Sequence, residues 1–441
     1  MKVRFAPSPT GFLHVGNARQ AVVNHLFALR YGAKMLLRLD DTDRERSRDE
    51  FAAGIEADLR WLGVAWDESF RQSDRLDLYA AAAERLKAAG RLYPCFESEE
   101  ELAAKREMRI RRHEPPVYDR AMLKLTPEQR ARAEANGKTP YWRFRLSDAP
   151  VGWVDGVGGR REVKLPAVSD PVLVRADGTP LYLFTSVVDD AESGITHVIR
   201  GEDHVTNTGI QIDIARALGA TVPSFAHLPL LLDADGGKLS KRTGSVSLRS
   251  LRADGIEPGA IAAYLARLGT PDDLAPLPWG ELARTFELKR FGRSAARFDG
   301  QQLLALNRRV LQDLPFEAAR DRLPPGATPA FWAAVRGNLD MLAEARGWWD
   351  VVAGTIVPPH LPDEAAFLRE ALDALPTEPW AEDVWTTWTG ALKAATGRKG
   401  RALFLPLRLS LTGEEHGPEL RALLPLIGRA RAATRLREAA G

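Results

Sequence analysis

The first forty residues run strand, loop, helix, strand, and that order constrains the fold more than any other feature of the chain. Residues 2–6 (KVRFA) read as a short strand that stops at Pro7, Ser8, Pro9, Thr10 and Gly11. A helical pattern follows from about residue 17 to 31, with apolar Val22, Val23, Leu26, Phe27 and Leu29. Gly32 stands where a helix C-cap belongs. Residues 34–39 (KMLLRL) then form a buried-strand candidate that ends in Asp40, Asp41, Thr42 and Asp43. A helix joining two strands in this way favours a parallel sheet with a right-handed crossover. Residues 49–63 and 74–90 read as further helices.

From about residue 91 to 185 the character changes. A basic helix carries Lys105, Arg106, Arg109, Arg111 and Arg112, followed by an irregular Pro115-Pro116 segment. Strand-like pieces occur at 141–146 and 172–174, and Ala176-Asp177-Gly178-Thr179 signals a hairpin turn. Strand character returns at 197–200 (HVIR), with a helix from about 208 to 218. The intervening stretch therefore reads as an insertion between two halves of a nucleotide-binding sheet. Beyond residue 260 the chain reads as mostly helical, with Pro- and Gly-rich joints at 322–328 and 357–362.

At 441 residues the chain is too long for one compact core. Its single cysteine, Cys95, excludes an intrachain disulfide and a multi-cysteine zinc site, and fits a cytoplasmic location. The opening MKVRFAPSPTG has Pro and Gly where a signal peptide needs an apolar run, and no stretch reaches the length of a membrane span. Net charge is only +2, so overall charge does not announce a nucleic-acid binder. Its distribution says more: residues 340–390 hold ten Asp/Glu against two Lys/Arg, and residues 391–441 hold ten Lys/Arg against four Glu. A basic end can face a phosphate backbone or be a solvated helical surface.

Two segments carry chemistry. The first is residues 7–17 (PSPTGFLHVGN), which joins a strand to a helix, where an α/β sheet binds nucleotides. Gly11 and Gly16 allow close backbone approach, and His14 offers a donor to a phosphate oxygen. The second is residues 238–242 (KLSKR), preceded by Asp235, Gly236 and Gly237. It is not a Walker loop, since the position of that motif's first Gly is Leu232. It is a glycine-hinged loop with three cations, able to close on a triphosphate.

Together the two segments resemble the HIGH and KMSKS motifs of class I aminoacyl-tRNA synthetases. The wider similarity is to bacterial glutamyl-tRNA synthetases. It rests on residues 4–17 (RFAPSPTGFLHVGN), 37–43 (LRLDDTD), 186–190 (SVVDD), 197–204 (HVIRGEDH) and 238–242 (KLSKR), all in family order. The second His of HIGH is Asn17 here, which can still donate to a phosphate. The last Ser of KMSKS is Arg242.

The resemblance implies a Rossmann-type α/β catalytic domain in two halves, 1–70 and 186–245, around an inserted α+β acceptor-binding domain at 71–185. A stem-contact region at 246–310 and an all-α anticodon-binding domain at 311–441 would follow. It implies a glutamate–tRNA ligase in which His14, Lys238 and Lys241 are catalytic. ATP would meet His14, Gly16, Asn17, Asp203, His204, Lys238, Ser240 and Lys241. Glutamate would meet Arg4, Ala6, Ser8, Asp40, Tyr182, Ser186 and Arg200. Arg suits that pocket because its guanidinium binds carboxylate in a fork. Asp40 would accept from the α-ammonium, where many relatives carry Glu. Mg2+ would accompany ATP, and no resident metal is expected, although some relatives bind zinc through cysteines of the inserted domain. The expected partners are tRNA(Glu), ATP and L-glutamate, with no membrane, and the chain would be a monomer.

Alternatives stand beside this reading. One is a non-discriminating enzyme that also glutamylates tRNA(Gln). Another is a glutaminyl-tRNA synthetase, against which Arg4, Arg200 and the RFAPSPTG form of the first block argue. A shortened relative that modifies a tRNA base would lack the long helical end. A non-enzymatic RNA-binding paralogue would have no need of His14, Lys238 and Lys241. Trp380, Trp385 and Trp388 read as core rather than as platforms for unpaired bases.

Overall fold

The computed structural model describes residues 1–233, 236–237, 246–380 and 383–441. Strand β1 (Lys2–Phe5) leads through the Pro/Gly loop into helix α1 (Val15–Tyr31), and β2 (Lys34–Leu39) returns beside β1. The pair is parallel, with Arg4 opposite Leu36, as the crossover requires. Gly32 ends α1 in the left-handed conformation (φ 60°), which costs glycine nothing. Helix α2 (Asp49–Leu62) then carries the chain to β3 (Glu68–Arg71), a strand not legible from its polar sequence, which extends the parallel sheet beyond β2.

Helix α3 (Leu76–Ala88) opens the middle region. There β4 (Leu92–Cys95), β5 (Tyr141–Phe144) and β8 (Val172–Val174) form an antiparallel sheet in the order 4-5-8. Between them lie α4 (Glu99–Arg111), α5 (Pro127–Ala135) and a hairpin of β6 (Val151–Asp155) with β7 (Gly159–Val163). Both α4 and α5 begin with capping boxes, Ser98 with Glu101 and Thr126 with Gln129. The turn at 176–179 closes as expected, with Arg175 N–H donating to the Thr179 carbonyl.

Helix α6 (Tyr182–Glu192) leads to β9 (His197–Gly201), and α7 (Val205–Ala217) leads to β10 (Ser224–Leu228), parallel to β9. Strand β9 lies beside β1, where Thr196 N–H donates to the Lys2 carbonyl and Lys2 N–H to Thr196 Oγ1. Asn24 of α1 donates to the Ile199 carbonyl and pins the helix there. The two parallel ladders, 3-2-1 and 9-10, therefore adjoin at β1 and β9. Chain connections diverge between β1 and β9, which is the point where open α/β sheets bind ligands. One apolar core runs unbroken from Phe144, Leu165 and Leu173 to Phe184, Val198, Ile210 and Ile214.

Two compact units emerge, one of Met1–Leu251 with Ile261–Asp299, the other of Arg252–Ala260 with Gly300–Gly441. The second is helical, its core built on Phe331, Trp332, Leu368, Trp388, Leu407, Leu424 and Leu436. Trp388 is fully buried and donates Nε1–H to the Ala371 carbonyl, while Trp380 and Trp385 pack partly buried against the same core. Arg435, one of the ten cations near the end of the chain, is also buried. It donates to the carbonyls of Val351, Gly354 and Leu411 at two helix C-termini, where cations are favoured. Burial pulls its pKa down to about 10. Among the described residues no helix is long and apolar enough to cross a membrane.

Candidate active site

The cleft opens where β1 and β9 end and α1 begins. Its first part is a cavity of about 460 Å³ lined by Arg4, Ala6, Ser8, His14, Asn17, Arg38, Asp40, Tyr182, Arg200, Asp203 and His204. Its second part, about 290 Å³, is lined by His14, Gly16, Asn17, Arg19, Gln20, Gly201, Asp203 and residues 228–231. The two share His14, Asn17, Gln20 and Asp203, so they form one cleft with His14 at the junction. A larger recess, about 750 Å³, is lined by five carboxylates (Asp43, Glu45, Asp77, Glu84, Asp177) against three cations (Arg44, Lys87, Arg175). That balance offers no net attraction for an anionic substrate.

His14 is the N-cap of α1. Its Nδ1 accepts from Gly16 N–H (3.0 Å) and Asn17 N–H (3.3 Å). A neutral imidazole that accepts at Nδ1 must carry its proton at Nε2. The cap thus fixes a donor in the cleft. Gly16 permits this, because a Cβ there would sit 2.9 Å from the imidazole ring.

Arg200 is buried, yet among the described residues it has no ion-pair partner. Nη1 donates to Tyr182 Oη (3.0 Å), Nη2 donates to Thr208 Oγ1 (2.6 Å), and Nε has no partner among the described residues. Burial, with repulsion from Arg4, pulls its pKa below the ordinary value. Tyr182 Oη accepts from Arg200, so its own proton points to His204 Nδ1, 3.2 Å away. His204 is held neutral: burial and then the Arg200 charge lower its pKa to about 4. Arg4 donates Nε–H to Asp190 at 3.2 Å, and its terminal nitrogens make no hydrogen bond among the described residues.

Asp40 faces the same cavity, but both of its oxygens already accept from Arg38, at 2.6 and 3.2 Å. A carboxylate has about four lone-pair sites, so room for an ammonium remains. Ser186 does not line the cleft. It is fully buried and accepts from Arg38 Nη2, so its place is behind the pocket wall. Sequence reasoning missed Arg38, the centre of this wall. It is wholly buried among Asp40, Asp189 and Asp190. Asp189 in turn accepts from Gln72, Arg75 and Tyr79. The alternation of KMLLRL hid Arg38, because an arginine inside a buried strand reads as an interruption. Asp41 holds Ser73, and Asp43 pairs with Arg46 in a surface turn.

Lys238, Ser240 and Lys241 lie outside the described residues. The described residues flanking them border His14. Leu231 lines the second cavity, Val15 N–H donates to the Val246 carbonyl, and Leu248 N–H donates to the Leu13 carbonyl. On α4, Lys105 pairs with Glu97, Arg109 with Glu114 and Arg111 with Glu107.

The family model for class I tRNA synthetases (E and Q), catalytic domain, matches residues 1–304. The chain belongs to this family. An anticodon binding domain model matches residues 359–440 of the same synthetase. Glutamate–tRNA ligase 2 of Granulibacter bethesdensis is 68% identical over 435 residues, covering 98% of this chain and 97% of that protein. The protein of the same name from Acidiphilium cryptum is 68% identical over 443 residues, covering 100% of both chains. Among solved structures, a glutamate tRNA ligase from Elizabethkingia meningosepticum, in complex with its amino acid, is similar with a TM-score of 0.88. It is 27% identical and covers 100% of this chain and 99% of that one. The synthetase therefore combines a class I catalytic domain with a helical anticodon-binding domain.

Proposed function

We propose that the chain is a glutamate–tRNA ligase that activates L-glutamate with ATP and esterifies it to the 3′-terminal adenosine of tRNA(Glu). The observation that carries this reading is Arg200. It is a buried guanidinium with no carboxylate partner among the described residues, sharing one cavity with Arg4 and His14. A buried cation is costly unless an anion meets it, and the side-chain carboxylate of glutamate supplies that anion. The carboxamide of glutamine does not, so the same pair of arginines selects against it.

ATP occupies the half of the cleft next to α1, with Gly16 and Gly201 close to it and Asp203 near the ribose. Ala6, Ser8 and Asp40 lie on the side of the amino acid's α-carbon, with Asp40 accepting from the ammonium. An oxygen of the glutamate α-carboxylate attacks the α-phosphorus, the bond to the bridging oxygen breaks, and pyrophosphate leaves. His14 donates Nε2–H to a phosphate oxygen while Lys238 and Lys241 balance the charge that moves to pyrophosphate. A terminal ribose hydroxyl of the tRNA then attacks the glutamyl carbonyl and releases AMP. Mg2+ enters with ATP. Positioning and charge stabilisation supply most of the acceleration, since the chain need move few protons. The region 71–185 takes the acceptor end, 246–310 the stem and 311–441 the anticodon.

Lys241→Ala is expected to slow adenylate formation about 10²-fold with an unchanged melting temperature, the effect of removing one preorganised charge donor. Single-turnover adenylate formation at the wild-type rate would contradict the role given to the loop. The decisive experiment is aminoacylation of purified tRNA(Glu) and tRNA(Gln) with each amino acid. Glutamate on tRNA(Glu) alone is the expected result. Glutamate on both tRNAs identifies the non-discriminating alternative, and glutamine on either overturns the pocket.

A further inference from the structure

Behind Arg200 lies a buried chain of polar groups for which the reaction itself gives no reason. Asp155, at the end of β6, accepts from the backbone N–H groups of Val157 (3.0 Å), Gly158 (2.8 Å) and His227 (3.2 Å). It also accepts from His227 Nδ1 at 2.5 Å. With a longer bond from Trp153 Nε1–H (3.4 Å), the carboxyl group takes five N–H donors and is an ionised acceptor, and these bonds hold its pKa far below the ordinary carboxylate range against the opposing effect of burial. His227 therefore carries its proton on Nδ1 and presents a bare Nε2. Burial, opposed by the bond to Asp155, keeps the ring neutral.

Nε2 of His227 faces Thr208 Oγ1 at 2.9 Å. Thr208 Oγ1 also lies 3.1 Å from the His204 carbonyl, but its one hydroxyl proton goes to Nε2, the nearer acceptor and the one with no other donor among the described residues. The lone pairs of Thr208 are then left for Arg200 Nη2, at 2.6 Å. Each link is directional, from carboxylate to imidazole tautomer to hydroxyl to guanidinium. Asp155, Thr208 and His227 are each at most 3% exposed. The chain of bonds begins in the β6–β7 hairpin, crosses β10 and α7, and ends on the residue that faces the cleft.

We propose that Asp155, acting through His227 and Thr208, is a positioning residue for Arg200 and so sets the affinity for the side-chain carboxylate of the amino acid. The proposal rests on the glutamate pocket argued above. A guanidinium must be held within a fraction of an ångström to engage a carboxylate through two nitrogens, and Thr208 is the acceptor that fixes one of them.

Thr208→Val removes the hydroxyl at nearly constant volume. In glutamate-dependent ATP–pyrophosphate exchange with tRNA(Glu) present, it is expected to raise the KM for glutamate about tenfold, the scale for one hydrogen bond to a charged group. The KM for ATP should stay within about twofold, and Thr208→Ser should restore wild-type behaviour, since it returns the hydroxyl. An unchanged glutamate KM in Thr208→Val overturns the proposal. So does a matching rise in both KM values, or failure of Thr208→Ser to restore, because those mark a structural role. Should Thr208→Val not fold, Asp155→Asn is read in the same way: a rise in glutamate KM alone supports the relay, and no rise overturns it. Wild-type protein without glutamate-dependent exchange would instead count against the glutamate pocket itself, so the two failures are distinct.

Discussion

Arg200→Ala is expected to raise the KM for glutamate by about 10²- to 10³-fold while leaving the KM for ATP nearly unchanged. The size follows from burial. Arg200 is 3% exposed and has no ion-pair partner among the described residues, so its interaction with a substrate carboxylate is poorly screened. Arg4 remains in the mutant, but it is already engaged with Asp190 through Nε, and it cannot replace the second guanidinium. The fold should survive, because removing a buried cation with no ion-pair partner among the described residues relieves a desolvation cost, and the Tyr182 and Thr208 hydroxyls that lose its N–H donors keep their bonds to His204 and His227. Arg200→Lys should not restore affinity, since an ammonium is a point charge and lacks the planar fork. The measurement is ATP–pyrophosphate exchange at varied glutamate, with glutamine as competitor. The mutant should discriminate less between the two, and an unaltered glutamate KM would remove the basis of the pocket.

His14 should separate catalysis from stability. His14→Ala removes both the helix cap and the Nε2–H donor, so it should slow adenylate formation by about 10²- to 10³-fold and cost about 0.5–2 kcal/mol of stability. His14→Asn restores a good N-cap, since its side-chain oxygen can accept from the first-turn N–H groups as His14 Nδ1 does now. It carries no donor as far into the cleft. The Asn variant should therefore recover the melting temperature without recovering the rate. Recovery of both would show that the imidazole serves α1 alone.

The motif blocks were legible as chemistry, but the roles inside them were only partly so. His14, Gly16, Asn17, Asp203 and His204 line one cleft with Arg4, Ala6, Ser8, Asp40, Tyr182 and Arg200. Ser186 belongs to the wall rather than to the cavity, because the helical turn of α6 that bears it faces Arg38. Arg38 itself went unseen. Its significance depends on three carboxylates, two of them more than 150 residues away in sequence. The same holds for Asp155, His227 and Thr208, which stand in no common sequence block. The basic end of the chain gave a surface expectation, yet Arg435 is spent inside the helical unit on carbonyls of residues 351, 354 and 411.

By itself the sequence determined the βαβ opening, the parallel pairing of β1 with β2 and the glycine that ends α1, and it proposed the reactive side chains. These follow from local periodicity, φ preferences and residue chemistry, which neighbours a few positions apart already decide. Only the tertiary structure decided that β9 lies against β1, that a cation at each strand end meets in one cavity, and which polar groups hold those cations still. Such facts depend on pairing between segments almost two hundred residues apart, where a carboxylate finds its guanidinium through space and burial sets how strongly they interact.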